Sequence, residues 1–411
     1  MSSYSIALSG LAANGAALDV VGNNLANINT QSFKTDDVQF KDLLEESMGG
    51  TMIGGGVAPP TSTTLFTQGS IQSTGAPLDA AIQGNGFFVV KDTSGDTLYT
   101  RDGGFQVNAN GFLVTSTGEQ VQGWSATNGV LTTTGVADSI SVAALAEQPP
   151  VATANMTLSL NLDSTTATNG TFSTPIQVVD SLGGTHTLTA TFTKTGSNAW
   201  SYAVTIPGED TKTGTAGTPV SLGTGTLTFD ASGNLTAPAA GTPGIIKTTS
   251  GLADGANDLD IAWSFYDKNG TSTVTQFAQT SAAAGSTQDG QQAAQVNSLT
   301  LSNGGGLVAS YSNGTQVTVA QVALASIGNP DSLLSAGNNN YQLGSNTSTP
   351  SVGMPGSGGR GTVLGGSIEA SNVDLGTEFT NLIVYQRGYE ANSKVISTQQ
   401  QVDQSLLTLT P

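Results

Sequence analysis

Apolar residues recur at helical spacing only near the two ends of this chain, and this division limits the folds that it can adopt. Near the amino terminus one stripe repeats every seven residues, and its members are Leu8, Leu11, Gly15, Leu18, Gly22 and Leu25. Near the carboxyl terminus a second stripe has a similar period and consists of Leu375, Phe379, Leu382, Tyr389 and Ile396, continuing to Val402 and Leu406. Such a repeat is typical of helices that pack side by side. Both ends are therefore predicted to be helical and to form a coiled-coil-like domain.

The residues between the two ends have the pattern of short strands separated by turns. Runs rich in β-branched and aromatic residues cover 86–91, 98–101, 121–124, 155–162, 176–180, 185–193, 200–206, 225–229 and 258–265. Residues 181–184 (SLGG) separate two of these runs and predict a hairpin. Strands at this spacing favour antiparallel barrels or sandwiches. The predicted fold class is α+β, with mostly antiparallel β domains nested between the terminal helices.

Changes in composition divide the chain into parts. The β-type pattern is interrupted by two prolines after Gln148, by an Ala-, Gly-, Ser- and Gln-rich stretch at 281–292, and by a Gly-, Ser- and Pro-rich stretch at 345–361. The predicted division is a terminal helical domain (1–30 and 372–411), connecting segments (31–69 and 356–371), an inner β domain (70–147 and 286–355) and an outer inserted β domain (148–285).

Composition excludes several classes of protein. The 411 residues include no Cys and one His, so disulfides, thiol nucleophiles and multi-histidine metal sites are excluded. The 29 acidic residues outnumber the 11 basic ones and leave a formal charge of −18, which would repel a nucleic-acid backbone. We find no uninterrupted apolar run of about 18 residues, so no membrane insertion is expected. Residues 1–9 lack the basic segment of a cleaved signal peptide.

The candidate catalytic and ligand-binding residues do not assemble into a site. His186 lies in an alternating strand, where a structural histidine is far commoner than a catalytic base. Asp92, Ser94 and Asp96 lack the spacing of a calcium loop, and the glycine-rich residues 84–86 and 358–361 lack the Lys-Ser/Thr of a phosphate loop. We predict no enzyme activity, no cofactor and no metal site.

The terminal helices carry too few large apolar side chains to be stable by themselves. They need a partner, which is either the middle of the same chain or other copies of the helices.

Six segments of the chain resemble a known family. At the amino-terminal end these are residues 8–13 (LSGLAA) and 23–30 (NNLANINT), followed by Phe33 and Lys34. At the carboxyl-terminal end they are 366–375 (GSIEASNVDL) and 385–396 (YQRGYEANSKVI), and further in they are 84–88 (GNGFF) and 99–103 (YTRDG). Together they resemble the axial proteins of the bacterial flagellum, the rod and hook proteins. Residues 179–186 (VDSLGGTH) resemble the central domain of the hook type, and about 135 extra β-type residues favour hook over distal rod.

The resemblance implies a structural role. It implies a homo-oligomeric helical polymer, a hollow and bendable tube that transmits motor torque as a universal joint and surrounds the export channel. The implied partners are the distal rod protein, the hook cap, the hook–filament junction proteins and the flagellar type III export apparatus. The implied location is the extracellular hook, reached without a cleaved signal peptide.

The resemblance also implies which residues carry the assembly. On the amino-terminal helix they are Leu8, Leu11, Leu18, Asn24, Leu25, Asn27 and Ile28. On the carboxyl-terminal helix they are Leu375, Phe379, Leu382, Tyr389, Asn392, Ile396, Val402 and Leu406. The candidates for facing the channel are Gln400, Gln401 and Gln404.

Three other functions stay open at this point. One is a distal-rod-type axial protein, and another is a secreted β-rich adhesin, which would need no heptad-patterned ends. The third is a hydrolase that uses His186, for which the sequence places neither a nucleophile nor a carboxylate.

Overall fold

The computed structural model describes residues 3–44, 54–126, 131–142 and 147–409. These residues form two compact units. The first unit takes residues 1–145, 297–310 and 316–411, and therefore holds both ends of the chain. The second unit takes residues 146–296 and 311–315.

Two helices stand at the ends of the chain, α1 (Ser3–Ala26) and α2 (Leu375–Leu409). The Asp374 side chain caps α2, because its Oδ1 accepts a hydrogen bond from the Thr377 amide at 2.8 Å. By length and composition α1 could cross a bilayer, although the sequence contains no uninterrupted apolar run of about 18 residues. Both statements hold because the many alanines and glycines of α1 keep its average polarity low without forming a continuous row of large apolar side chains.

The strands of the first unit before the insertion are short. They are β1 (Asp36–Gln39), β2 (Asp42–Leu44), β3 (Gly54–Val57), β4 (Thr61–Thr64), β5 (Ile71–Ser73), β6 (Ala80–Gln83), β7 (Phe87–Lys91), β8 (Thr97–Thr100), β9 (Phe105–Val107), β10 (Leu113–Thr115), β11 (Gln120–Ser125) and β12 (Asp138–Ser139).

The second unit is built from longer strands. They are β13 (Glu147–Gln148), β14 (Asn155–Asp163), β15 (Thr171–Val179), β16 (Thr185–Gly196), β17 (Ala199–Ile206), β18 (Val220–Phe229), β19 (Leu235–Ala237), β20 (Gly244–Lys247), β21 (Asp260–Ser264), β22 (Val274–Phe277) and β23 (Ala282–Gln288). Along the chain, β24 (Ala294–Leu301) and β25 (Gly306–Tyr311) lead back into the first unit.

The remaining strands complete the first unit. They are β26 (Gln316–Val322), β27 (Leu324–Ser326), β28 (Leu334–Gly337), β29 (Asn340–Gln342), β30 (Ser351–Gly353), β31 (Thr362–Gly365) and β32 (Ser367–Glu369). The main sheet has the strand order β25-β26-β11-β7-β8-β29-β28. Among the described residues, four separate two-stranded ladders are formed by β1–β4, β2–β3, β5–β32 and β6–β31, and α1 contacts β1 and β3.

A compact aromatic core lies under the main sheet of the first unit. The Phe66 ring packs edge-on against Phe87 and Tyr341, with centroid distances of 5.2 and 4.9 Å. A Cβ atom on Gly103 would collide with the carbonyl oxygen of Ala80, so this close approach of two backbones requires glycine.

The second unit has two sheets around one core. The first has the order β20-β21-β14-β22, with β23 also paired to β14, and the second is the antiparallel meander β15 to β19. Trp200 and Trp263 are fully buried between them. Side chains of β17 alternate between buried and half-exposed along the whole strand, as the sequence pattern predicts. Most pairs in the protein are antiparallel, but β14 runs parallel to both β21 and β22.

Four hairpins share one type of turn, which begins with an aspartate. Asp92, Asp180, Asp230 and Asp267 each begin a turn in which Oδ1 accepts hydrogen bonds from the amides two and four residues later. The fourth residue of each turn is a glycine with positive φ, between 80° and 93°. The predicted hairpin at 181–184 is confirmed, since Val179 pairs with Thr185 across it. Asp92 has this turn role, which agrees with rejecting a calcium loop there.

Candidate assembly interface

The helices α1 and α2 pack against each other in antiparallel orientation within the first unit. Three facing pairs define the register: Asn24 with Glu378, Asn14 with Gly388, and Gly10 with Asn392. The last two pairs are reciprocal, because each helix places an asparagine over a glycine of its partner. A Cβ atom on Gly10 would lie 2.8 Å from the Asn392 Oδ1 atom. The two backbones therefore approach closely at these positions.

The face of α1 that is buried consists of small or slender side chains. Its members are Ala7, Gly10, Ala13, Ala17, Val21 and Asn24, and we call this row the small-residue seam. The predicted leucine stripe lies beside it. Leu8 is 48% exposed, and Leu11, Leu18 and Leu25 are half-buried. Gly10 and Asn24 of this seam face α2, while α1 also packs on β1 and β3, and the leucines remain partly open.

The predicted residues of α2 also divide by exposure. Leu375, Phe379, Tyr389 and Val402 are exposed, whereas Leu382, Asn392 and Ile396 are half-buried. The side chain of Leu406 lies outside the described residues. The glutamines proposed for the channel, Gln400, Gln401 and Gln404, are all exposed. Val395, into which the predicted stripe also continues, is exposed, and so are two further apolar residues of this helix that the stripe does not include, Ile383 and Val384.

Asn24 is predicted to bind a neighbouring copy, but its side chain is buried within its own chain. Its side chain is 1% exposed, donates to Glu378 Oε1 at 3.1 Å and exchanges two hydrogen bonds with the backbone of Asp36. Asn24 therefore holds together three segments of its own chain and is closed to a neighbouring molecule in this conformation. Asn27 and Ile28, just beyond the helix, are half-buried.

Glu378 is a buried acid at the start of α2. One carboxylate oxygen accepts from Asn24, while Oε2 has no hydrogen-bond partner among the described residues. Burial raises the pKa of Glu378, and the nearby Asp37 and Asp374 carboxylates add to the effect, which the Asn24 hydrogen bond opposes. The helix pair thus has a buried carboxyl group at the end where the strands join it.

A buried ion cluster connects the helices to the sheets. Glu369 accepts from Lys34 Nζ at 2.6 Å and lies 3.4 Å from Arg101 Nη1, and all three side chains are almost completely buried. The carbonyl oxygens of Thr67 and Gly84 accept further hydrogen bonds from the two cations. Burial lowers the pKa of Lys34, and Glu369 opposes that shift.

No periodic pattern or spacing in the sequence predicts this cluster. Each member nevertheless lies in or beside a segment that resembled the flagellar axial family, namely Phe33-Lys34, 99–103 and 366–375. A search for opposite charges among those segments would have found it.

Models of flagellar protein families match most of the chain. The flagella basal body rod protein model matches residues 5–34, and the flagellar basal body rod FlgEFG protein C-terminal model matches 364–409. The flagellar hook protein FlgE/F/G D1 domain matches 81–164, and the flagellar basal body protein FlaE D2 domain matches 145–291.

Full-length relatives agree with these matches. The flagellar hook protein FlgE of Escherichia coli K12 is 32% identical over 99% of this chain and 99% of its own length. The FlgE proteins of Salmonella typhimurium and Borreliella burgdorferi are 32% and 31% identical, again over at least 98% of both chains. The crystal structure of the Helicobacter pylori flagellar hook protein FlgE2 has the same type of fold, with a TM-score of 0.52 and 14% identity over 71% of this chain and 99% of that one.

Proposed function

The chain belongs to the flagellar hook protein family, and we propose on that premise that its terminal helices carry the surfaces through which copies join into a hollow, bendable tube. Members of this family are structural subunits of the bacterial flagellar hook rather than enzymes. The similarity spans the whole chain, which favours the hook type over a distal-rod protein or a secreted adhesin.

One observation carries the proposal: large apolar side chains remain exposed on both helices after the helices have packed on each other. On α2, Phe379 is 52% and Ile383 57% exposed, and on α1 Leu8 is 48% exposed. Apolar groups left open along a helix pair are typical of surfaces that bind other proteins. Further copies of the same helices would cover them, which supplies the partners that the terminal helices need.

The symmetry of the assembly follows from the kind of contact proposed. A surface on one copy that binds a different surface on the next gives a heterologous contact, and such contacts repeat into an open helix when the rotation does not close. In such a tube, exposed amides such as Gln400, Gln401 and Gln404 would give a neutral, polar lining. Neutral amides suit a channel through which unfolded chains of varied charge must pass.

In the cell, the proposed tube joins the distal rod protein at its base, grows beneath the hook cap and ends at the hook–filament junction proteins. Subunits arrive through the flagellar type III export apparatus and assemble outside the cell. The terminal helical domain provides connectivity along the tube, while the inner and outer β domains provide the bulk that slides when the hook bends.

The experiment compares assembly of the full chain with that of two surface variants. Phe379→Ser combined with Ile383→Ser removes exposed apolar groups from α2, and Ile245→Ser, in the second unit, removes a group that is similarly exposed. We expect tubes in electron micrographs of the wild type and the Ile245→Ser control, and sedimenting polymer to be lost in the double variant. Normal tubes from the double variant, with unchanged circular dichroism, would contradict the proposed interface.

A further inference from the structure

The second unit brings the only histidine of the chain into contact with three carboxylates. His186 Nε2 lies 2.8 Å from Asp180 Oδ2 and 3.8 Å from Asp254 Oδ2, and Nδ1 lies 3.2 Å from Asp210 Oδ2. The histidine side chain is 9% exposed and that of Asp180 is fully buried. We call these four residues the imidazole–carboxylate cluster.

Four separate elements position the cluster. Asp180 begins the turn between β15 and β16, and His186 is the second residue of β16. Asp210 ends the 3₁₀ turn Gly208–Asp210 that follows β17, and Asp254 lies between β20 and β21. The turn amides of Leu182 and Gly184 bind Asp180 Oδ1, which leaves Oδ2 directed at the imidazole.

The charges in the cluster are unbalanced. Two carboxylate oxygens, from Asp180 and Asp254, face one ring nitrogen, which can carry only one proton. Even a protonated imidazole leaves three carboxylates facing a single positive charge.

The sequence pattern around His186 predicts no metal site, but the folded chain brings together donors that could hold a metal ion. Nε2 of His186 and one carboxylate oxygen each from Asp180 and Asp254 all lie within 4.8 Å of one another. On the other side of the ring, Asp210 is placed to accept the Nδ1 proton, which would direct the Nε2 lone pair at the two carboxylates. A carboxylate in that position orients most metal-binding histidines.

We propose that the imidazole–carboxylate cluster is a binding site for one divalent transition-metal cation, with His186, Asp180 and Asp254 as ligands and Asp210 as a positioning residue. An imidazole nitrogen together with carboxylate oxygens suits Zn²⁺ better than Mg²⁺ or Ca²⁺, which prefer oxygen alone. Asp254 is 38% exposed, which gives the ion a route from solvent. A bound cation would join the β15–β16 hairpin to the β20–β21 loop. The proposal is independent of the assembly interface.

The composition of the chain makes the test specific. Since the sequence has one His and no Cys, the imidazole resonances in an NMR spectrum belong to His186 alone, and no thiol competes for zinc. The full chain is titrated with ZnCl₂, and separately with MgCl₂, by calorimetry and by NMR of the imidazole. We expect one Zn²⁺ bound per chain, a shift of the His186 resonances on saturation, and much weaker binding of Mg²⁺.

Variants of the ligands test the assignment. Asp254→Asn retains the acceptor for the Ala256 amide and is expected to weaken Zn²⁺ binding at least tenfold. Asp210→Ala removes the acceptor of the Nδ1 proton and is expected to weaken Zn²⁺ binding about 10- to 100-fold by releasing the ring. Asp230→Asn alters a turn aspartate of the same kind with no imidazole beside it, and is expected to bind Zn²⁺ as the wild type does.

Three results would overturn the proposal. They are the absence of Zn²⁺ binding by the folded wild type, binding that leaves the His186 resonances unshifted, and equal affinity in Asp254→Asn and Asp230→Asn. Circular dichroism of each variant verifies that the second unit is folded.

Discussion

The side chain of Asn14 lies over Gly388, where a Cβ atom built on the glycine would come within 2.5 Å of the Asn14 Oδ1 atom. Asn14 is held there, because its Nδ2 donates to the carbonyl oxygen of Gly10 at 2.7 Å. Asn392 repeats the arrangement on the other helix by donating to the Gly388 carbonyl at 2.8 Å and lying over Gly10. The two glycines and two asparagines therefore set the register and the closeness of the helix pair.

The first prediction concerns these glycines. An exposed helical Gly→Ala change stabilises a helix by about 1 kcal/mol, and Gly22→Ala should do so because its Cβ would meet nothing within 4 Å. Gly388→Ala should give no gain or a net loss, since Asn14 must abandon its hydrogen bond. Urea unfolding of the unassembled full chain, followed by circular dichroism, measures both. Adding Asn14→Ala to Gly388→Ala should recover the gain, and failure to recover it would contradict the predicted contact.

The second prediction concerns the pH dependence of the helix pair. Because the pKa of Glu378 is raised in the folded chain, the folded state binds this proton more readily than the unfolded state does. The ionised Glu378 carboxylate therefore lowers the free energy of unfolding at neutral pH. This loss of stability becomes smaller as the pH falls through the raised pKa towards the ordinary value of 4.5. Glu378→Gln should stabilise the pair at neutral pH and reduce the pH dependence in that window.

The matched control for that experiment is Glu390→Gln, which alters a glutamate of the same helix whose side chain is 70% exposed. It should leave the pH dependence unchanged. A pH profile of unfolding that is the same for Glu378→Gln and the wild type would disprove the role given to Glu378.

The third prediction ranks three substitutions of charged residues, two of them in the buried ion cluster, by their effect on the free energy of unfolding. Glu369→Gln leaves two buried cations without their shared anion, so it should lower the free energy of unfolding by about 3–5 kcal/mol. Lys34→Met leaves Glu369 paired with Arg101, and the loss should be smaller, about 1–3 kcal/mol. Lys247→Met breaks an exposed pair of 2.9 Å with Asp260 and should change stability by under about 1 kcal/mol. Denaturant unfolding at neutral pH gives the order, and a larger loss for Lys34→Met than for Glu369→Gln would refute it.

The fourth prediction separates the two faces of α1. Leu18→Asp places a charge on the half-buried leucine stripe, so it should abolish polymerisation while the helical circular dichroism of the unassembled chain is retained. Ala17→Asp places the same charge in the small-residue seam, where Ala17 is fully buried, and should separate α1 from α2. Sedimentation measures assembly, and circular dichroism measures helix content. Equal loss of helix in the two variants would mean that the leucine stripe also packs within its own chain.

Local features of the sequence were sufficient to predict much of the secondary structure. The alternation along residues 155–162 predicts a strand with one buried face, and Met156, Leu158, Leu160 and Leu162 are all buried there. The turn at 181–184 and the helices at both ends follow from short-range rules of the same kind. These features depend on neighbouring residues alone, because periodicity, capping and turn conformation involve only a few positions along the chain.

Tertiary structure decided which faces meet and which distant residues come together. The heptad pattern made the leucines prominent, yet α1 comes close to α2 at Gly10 and Gly388, because the lack of a side chain there allows the two backbones to approach. Lys34 and Glu369 are 335 positions apart, and His186 gathers carboxylates from three separate turns and loops. No periodic pattern links such residues, since their contacts exist only after strands and helices far apart in the chain have packed. The sequence by itself therefore determined the family, the terminal helices and many of the strands, although β23 (Ala282–Gln288) formed in a stretch that the composition predicts as a break. The packing of those elements decided the seam, the buried ion cluster and the histidine site.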